Sequence, residues 1–240
     1  MRTTVNHSVT PIPALYYPGN VAATPTTAFR RAREGQIVSA TRALFDERGM
    51  QDAPIEDIAK AVGIARGLIY RQFSSKEELF VLTVTDYLSE LEGVLRAATA
   101  AKRKPSAKLE AITAAFAGFC RRYPAFLDCA LSLMQRPARE LHEMVSESIW
   151  FRLGQGMAAC IDQSAEILRD GRDDGSFTAT EDPDFIASLL WTQTLGAMHL
   201  ARIGVGVKQP TPGVPALFAV EPERVVAACV RSAMATAGAP

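Results

Sequence analysis

The sequence predicts an all-α fold, and three observations lead to that prediction. Apolar residues recur at the spacing of a helix from about residue 26 onward. Residues that commonly start helices precede these segments, and glycine or proline follows them. No segment shows the alternation of apolar and polar residues that is typical of a half-buried strand, so no strand is expected.

Composition excludes several classes of protein before any element is placed. The 240 residues include 26 Lys and Arg, 26 Asp and Glu, and 48% apolar residues. The net charge of zero argues against a polycationic nucleic-acid coat, and the apolar fraction allows a large core. No run approaches the roughly 18 apolar residues of a membrane span, and the N-terminus lacks the apolar core of a signal peptide. We therefore expect a cytoplasmic protein.

The chemistry-bearing residues give no pattern typical of an enzyme or a metal protein. The four cysteines are scattered without a CxxC pair, and the three histidines lie far apart in the sequence. No serine–histidine–aspartate, metal or nucleotide motif is present. We expect reduced thiols, no metal, no cofactor and no enzymatic activity.

The chain is predicted to divide into three regions. Residues 1–25, rich in threonine and proline, predict a disordered tail. Residues 26–75 predict a small helical domain, and residues 76–240 predict a larger helical bundle.

Start and stop signals define the helices of the small domain. The first helix is expected to begin near Thr26 and to end at Gly49, since glycine commonly follows a helix end. Pro54 suits the first position of the second helix. That helix has an apolar face formed by Ile55, Ile58, Ala59 and Val62.

A tight turn at Gly63 is expected to separate the second helix from a third, which runs from about Ala65 to Phe73. Ser75 is expected to cap a fourth helix, and Glu78 to complete a capping box with it.

The larger domain is also predicted to be helical. Its helices are expected at 76–101, 106–122, 124–135, 138–171, 183–204 and 222–237. The helix at 138–171 would be roughly 50 Å long at 1.5 Å per residue. The stretch from Gly204 to Pro222 is longer than most helix connections, and its apolar residues suggest that it covers the bundle or a partner subunit.

Residues 55–73 carry the main functional signal. A helix, a glycine turn and a second helix form the arrangement in which the second helix enters the major groove of DNA. Residues 64–76 contain three basic residues and no acidic one, which gives this segment a charge of +3 in a neutral chain. Arg30 and Arg31, beside Arg33, add a second basic region.

These residues resemble the DNA-binding domain of the tetracycline-repressor (TetR) family over about residues 28–82. The resemblance rests on three runs, which are Ala43-Leu44-Phe45-Asp46-Glu47-Arg48-Gly49, Ile55-Glu56-Asp57-Ile58-Ala59-Lys60-Ala61-Val62-Gly63-Ile64 and Gly67-Leu68-Ile69-Tyr70-Arg71-Gln72-Phe73-Ser74-Ser75-Lys76-Glu77-Glu78-Leu79. The resemblance implies a helix-turn-helix DNA-binding domain at 26–75 and an effector-binding, dimerising domain at 76–240.

The resemblance also implies a role for individual residues. Tyr70 and Lys76 would contact phosphates. Arg66 and Arg71 would read base edges, because arginine pairs with guanine through two hydrogen bonds. Leu68 would contact a thymine methyl group, and Gln72 would contact adenine or the DNA backbone. Arg30 and Arg31 would attract DNA through their positive charge.

Four positions differ from residues that are common in the family. Ala53-Pro54 replaces a Thr or Ser before the second helix, and Ala65 replaces a common Ser cap of the third. Leu68 and Gln72 replace a common Thr and a common His. These changes leave the helices intact and alter the contacts that are available to DNA.

The larger domain offers candidates for an effector pocket and a dimer interface. Bulky or adaptable side chains predict an apolar pocket, for which we nominate Phe116, Phe119, Cys120, Tyr123, Met134, Trp150, Phe151, Met157, Trp191 and His199. The pocket would suit an apolar or amphipathic effector, with acyl, sterol-like and aromatic compounds fitting equally. The last two helices would form the homodimer through Leu189, Leu190, Gln193, Thr194, Ala197, Met198, Ala201, Val226, Cys229, Val230, Ala233 and Met234.

The resulting expectation is a ligand-responsive transcriptional repressor that binds a near-palindromic operator as a dimer and is released by its effector. The alternative is a helical ligand-binding scaffold, or an activator with altered DNA recognition. The sequence specifies neither the operator, the effector, the regulated genes nor the number of dimers on each operator.

Overall fold

A computed structural model of the chain describes residues 25–50 and 53–239. The predicted tail therefore lies outside the described residues, apart from Pro25. The described part contains ten α-helices and one β-hairpin. The elements are α1 (Pro25–Arg48), α2 (Ile55–Val62), α3 (Arg66–Gln72), α4 (Lys76–Thr99), α5 (Pro105–Arg122), α6 (Pro124–Met134), α7 (Ala138–Met144), α8 (Glu147–Asp173), α9 (Pro183–Ile203), β1 (Val205–Thr211), β2 (Val214–Ala219) and α10 (Pro222–Ala237).

Local signals set the boundaries of α1 to α4. Gly49 and Gly63 have φ angles of 85° and 73°, a region that favours glycine, and each ends a helix as predicted. The hydroxyl of Ser75 accepts a hydrogen bond from the Glu78 N–H at 3.0 Å, which confirms the predicted cap of α4. Pro54 precedes α2 as its N-cap, with φ −68° and ψ 152°, so its predicted place at the first helical position is wrong by one residue.

The prediction of one helix over 138–171 is wrong, because the chain breaks between α7 and α8. Val145 is extended, with φ −130° and ψ 156°. The N–H of Ser146 is bonded to the side chain of Glu78 at 2.9 Å and so takes no part in a helix. The 27 residues of α8 make a helix of roughly 40 Å.

The prediction that the chain has no strand is also wrong. Strands β1 and β2 pair in antiparallel fashion, with Val207 opposite Leu217. The valine-rich sequence flanks a turn in which Gly213 has a φ of 81°, and β-branched residues around a glycine turn favour a hairpin. Val207 is 71% exposed and Leu217 is 68% exposed, so this part of the hairpin does not cover the bundle of its own chain.

A continuous core connects the two helical regions. Ile37 and Ile58 are buried where α1 and α2 meet, and Ile69 fixes α3 against them. The helix α4 continues this core into the bundle, where it packs mainly against α5 and α8. None of the described helices is both long enough and apolar enough to span a lipid bilayer.

Candidate nucleic-acid interface

The helix α3 is anchored by one face and exposes the other. Ile69 and Phe73 are 2% and 3% exposed. They lie four residues apart, on the inner face of the helix. Arg66, Tyr70 and Arg71 lie on the exposed side of the same helix. Neither α2 nor α3 has a side-chain cap, as expected from the prolines and alanines that precede them. The geometry presents polar side chains of a two-turn helix to a partner.

Arg66 is held within the domain by two neighbours. Its guanidinium forms an ion pair with Glu56 of α2 and donates a hydrogen bond to the Tyr70 hydroxyl at 3.2 Å. That hydrogen bond and the Glu56 charge raise the pKa of Arg66. Although α3 itself carries no acidic residue, α2 therefore places one beside it. Sequence reasoning missed this contact because the nine residues between the partners include a turn.

The other candidate DNA contacts lie on α3 or on the helices beside it. Lys76 is exposed in the first turn of α4, and Leu68 is half-buried. The amide of Gln72 donates to the backbone carbonyl of Arg30 at 3.4 Å, which places the start of α1 beside the end of α3. Arg30 and the neighbouring Arg31 are exposed. The exposed arginines at the start of α1 therefore lie near the end of α3.

Comparison with known proteins identifies this domain. Residues 37–82 match the family model described as bacterial regulatory proteins, tetR family. The helix-turn-helix domain is of the TetR type. The match begins within α1 and ends within α4, so it contains the complete helix-turn-helix. The chain is thus a transcriptional regulator whose DNA-binding part is the domain that exposes α3.

Similarity to known regulators extends well beyond the matched domain. The chain is 26% identical over 185 residues to the transcriptional repressor KstR2 of Rhodococcus jostii, covering 77% of this chain and 87% of that protein. It is 30% identical over 90 residues to the transcriptional activator FasR of Mycolicibacterium smegmatis, covering 38% and 41% of the two chains. The crystal structure of the regulator FadR from Bacillus subtilis in complex with stearoyl-CoA shares the fold, with a TM-score of 0.60, 13% identity, and coverage of 84% and 98%.

A buried carboxylate links the TetR-type DNA-binding domain to the bundle. Glu78 is 5% exposed and accepts hydrogen bonds from the backbone N–H groups of Ser74, at 2.8 Å, and Ser146, at 2.9 Å. Ser75 adds a hydrogen bond to the Met144 carbonyl at 3.0 Å. The residues after α3 are thereby tied to the start of α8. The predicted capping box is wrong for its second half, because the Glu78 carboxylate reaches Ser74 rather than Ser75.

We expect Glu78→Gln to lower the free energy of unfolding by about 1–3 kcal/mol, because the amide carries one acceptor oxygen where the carboxylate carries two. Burial alone would raise the pKa of Glu78, but the Ser74 and Ser146 donors outweigh it and lower the pKa from 4.5. The stabilisation is therefore complete above the ordinary pKa and is lost as the pH falls through the lowered folded value.

Denaturant unfolding of Glu78→Gln at pH 7 and near pH 4 checks this prediction. The loss relative to wild type should shrink toward pH 4. Glu77→Gln is the matched control, since Glu77 lies beside Glu78 in the first turn of α4. Both carboxylates interact favourably with the helix dipole. An equal loss in both variants, or a loss independent of pH, would contradict the role assigned to Glu78.

A second link joins α1 to α4. The guanidinium of Arg42 is 15% exposed and forms ion pairs with Asp86, at 2.8 Å, and Glu90. It also lies over the Tyr87 ring, 4.2 Å from the centroid. The Tyr87 hydroxyl donates to Asp46 of α1 at 2.7 Å. These contacts tie α1 firmly to α4.

A small cavity lies inside the bundle. It lies between α4, α5, α8 and α9, and its volume of about 20 Å³ is room for about one water molecule. The rings of Phe116 and Trp191 line it and stack with centroids 4.2 Å apart. Cys160 forms another wall, and burial raises the pKa of its thiol to about 12. Phe116 and Trp191 are the two nominated pocket residues that this cavity brings together.

The other nominated pocket residues lie elsewhere. Phe119 and Tyr123 belong to an aromatic cluster with Phe126, and Trp150 packs edge-on against His142. Cys120 is buried and Met157 is half-buried, but neither lines the cavity. The remaining three are exposed, namely Met134, Phe151 and His199.

The last two helices each expose a face that includes small and polar residues. On α9 this face contains Gln193 and Gly196, and on α10 it contains Ala227, Ala228 and Ser232. Several residues nominated for the dimer instead face the core of their own chain, namely Leu190, Thr194, Met198, Ala201, Cys229 and Ala233. Their neighbours on the exposed face therefore become the candidates for contact with a second copy.

Proposed function

We propose that the chain is a repressor that binds a near-palindromic operator as a homodimer and is released by an apolar or amphipathic effector. The observation that carries the proposal is the exposed face of α3, where Arg66, Tyr70 and Arg71 stand on a helix of the tetR-type domain. A helix held in this way enters the major groove with its side chains toward base edges.

Each exposed side chain would have a defined part in DNA binding. Arg66 and Arg71 would read bases, and Arg66 would first leave its ion pair with Glu56. Tyr70 and Lys76 would contact phosphates, with Arg30 and Arg31 adding charge from α1. Gln72 and the half-buried Leu68 would complete the interface at its edge.

A dimer would place two copies of α3 in successive major grooves, about 34–36 Å apart. The exposed faces of α9 and α10 support a four-helix interface, since small residues allow close approach of helices. The hairpin adds exposed apolar residues directly after α9 and before α10, so it would extend the same interface. A two-fold axis through this interface would match the symmetry of a palindrome.

An effector would act by opening the bundle. Binding between Phe116 and Trp191 would separate the stacked rings and move α8 relative to α4. The hydrogen bonds of Glu78 and the ion pairs of Arg42 would carry that movement to α3. The stearoyl-CoA bound to FadR supports an amphipathic effector for this chain. The binding of effector and the binding of DNA would be linked by a coupling free energy of about 1–3 kcal/mol, which is the usual range.

The first test of this proposal is the binding of a random-sequence duplex by wild type and Lys76→Ala at two salt concentrations. We expect Lys76→Ala to weaken binding to all sequences alike, because one phosphate contact is lost. The slope of log K against log salt should become shallower by about 1. Fluorescence anisotropy measures both quantities.

Lys102→Ala is the control, since Lys102 is an exposed lysine that follows α4 at the opposite end from Lys76. It removes the same charge away from the proposed interface. An unchanged salt slope for Lys76→Ala, or an equal change in both variants, would count against a phosphate contact at Lys76.

An activator is the second candidate function, and the similarity to FasR over 90 residues favours it. A repressor blocks transcription from its operator, whereas an activator raises it. Transcription in vitro from a promoter that carries the selected operator distinguishes them.

A further inference from the structure

A second cavity lies where the DNA-binding domain meets the bundle. Its volume is about 190 Å³, somewhat larger than the roughly 150 Å³ of an apolar protein cavity that holds benzene. The helices α1, α2 and the first turns of α4 form its floor, and the end of α6 forms its far wall. A ring-sized molecule therefore has room here, which it lacks in the cavity of about 20 Å³ inside the bundle.

The floor of this cavity is formed by apolar side chains that are packed in the core. Phe45, Ile55, Ile58 and Leu79 line it, and each is 7% or less exposed to solvent. These side chains belong to the core that holds α2 and α3 in place. A ring that fills the cavity would be stabilised by the apolar surface it covers.

The rim of the cavity is polar and carries a net positive charge. Lys76 and Arg136 are both exposed at the rim, and Glu77 is the acidic residue beside them. Neither cation forms an ion pair with another residue in the described part of the chain. Ser132 adds a hydroxyl from α6. An anionic group on the ring would therefore meet two cations and one donor at the mouth.

We propose that this cavity is a binding site for a small amphipathic anion, one ring or short chain that carries a carboxylate. The apolar part would lie on Phe45 and Ile58, and the carboxylate would reach Arg136 and Lys76. This site is distinct from the effector cavity at Phe116 and Trp191.

A bound anion would act on the DNA contacts directly. Lys76 would pair with the ligand instead of a phosphate, and the ligand would fix α2 and α4 against α6. This consequence rests on the proposed function, in which Lys76 contacts DNA. The site itself requires only the geometry of the cavity.

Binding at the cavity is tested with benzoate as the probe, observed through the methyl resonances of isoleucine in the full-length protein. Ile55 and Ile58 line this cavity, whereas Ile112 and Ile161 line the cavity in the bundle. We expect benzoate to shift the first pair and leave the second unchanged, and benzamide, its neutral analogue, to bind more weakly.

Two variants locate the parts of the site. Arg136→Gln should weaken benzoate binding by about fivefold, because the carboxylate loses one charge-assisted hydrogen bond at an exposed rim. Ser132→Leu should abolish binding by filling the cavity from α6. Arg139→Gln is the control, since Arg139 is a nearby arginine whose side chain is 90% exposed and which does not line the cavity.

A titration with up to about 10 mM benzoate detects even the weak affinity of a fragment. The proposal is overturned if no methyl resonance shifts in this titration. It is also overturned if benzoate shifts only Ile112 and Ile161, or if Ser132→Leu binds like wild type. The effect on DNA is measured separately, as the change in duplex affinity on adding benzoate. A site that binds benzoate in a protein that binds no DNA would refute the proposed function and leave the site standing.

Discussion

We expect Gly196→Arg to convert the proposed dimer into a monomer and to lower the affinity for a two-half-site operator by about 100-fold or more, because simultaneous engagement of both half-sites is lost. A Cβ atom added at Gly196 meets no atom within 4 Å in the same chain. Gly196 lies on the exposed face of α9, and arginine favours a helix more than glycine does. The variant should therefore fold as a monomer and fail only where a second copy must approach.

Gly154→Arg is the matched control for this prediction. Gly154 is an exposed glycine of α8, and an added Cβ there also meets no atom within 4 Å. Both variants gain one positive charge, so a general effect on DNA binding is the same in each. Sedimentation equilibrium gives the association constant, and anisotropy gives the operator affinity. A dimer of unchanged stability in Gly196→Arg would contradict an interface at this face of α9.

We expect Arg66→Ala to weaken operator binding by about 1–3 kcal/mol, or roughly 5- to 150-fold, and to relax the preference at one base pair of each half-site. The guanidinium would give up two hydrogen bonds to a guanine, while binding to random DNA should fall much less. This ratio distinguishes base reading from a general contribution of charge.

Glu56→Gln provides the complementary measurement. In the free protein, Glu56 holds Arg66 through an ion pair, so its removal frees the guanidinium and removes a negative charge near the phosphates. We expect Glu56→Gln to raise the operator affinity of the wild-type protein. When Arg66→Ala is also present, Glu56→Gln should raise the affinity only by the effect of removing the Glu56 charge. Equal losses of specific and random binding in Arg66→Ala would count against base reading at this position.

Local signals made the DNA-binding domain predictable from sequence. The glycine turn at Gly63, the cap at Ser75 and the apolar face of α2 depend on residues only a few positions apart. Such short-range chemistry fixes a helix-turn-helix with little help from the rest of the chain. The helix-turn-helix arrangement predicted that α3 presents a face to DNA, and the burial of Ile69 and Phe73 leaves its opposite face exposed.

Contacts between distant segments were not predictable in the same way. Glu78 finds Ser146, 68 residues away, and that bond accompanies the break between α7 and α8 that helical periodicity did not reveal. The aromatic residues nominated for one pocket lie in several parts of the bundle. Helical spacing shows which residues share a face of a helix, but it does not show which other helix packs against that face. The hairpin had a local signal, the valines around Gly213, which the search for strict alternation overlooked.

The most direct test of the account is selection of bound sequences from a random duplex pool, followed by measurement of the dissociation constants for the selected duplex and a scrambled one at two salt concentrations. We predict a near-palindrome whose half-site centres lie about one helical turn apart. The selected duplex should bind at least about 1,000-fold more tightly than the scrambled one, with strong salt dependence for both. Enrichment of no sequence, or of one without two-fold symmetry, would contradict a dimer that reads DNA through α3.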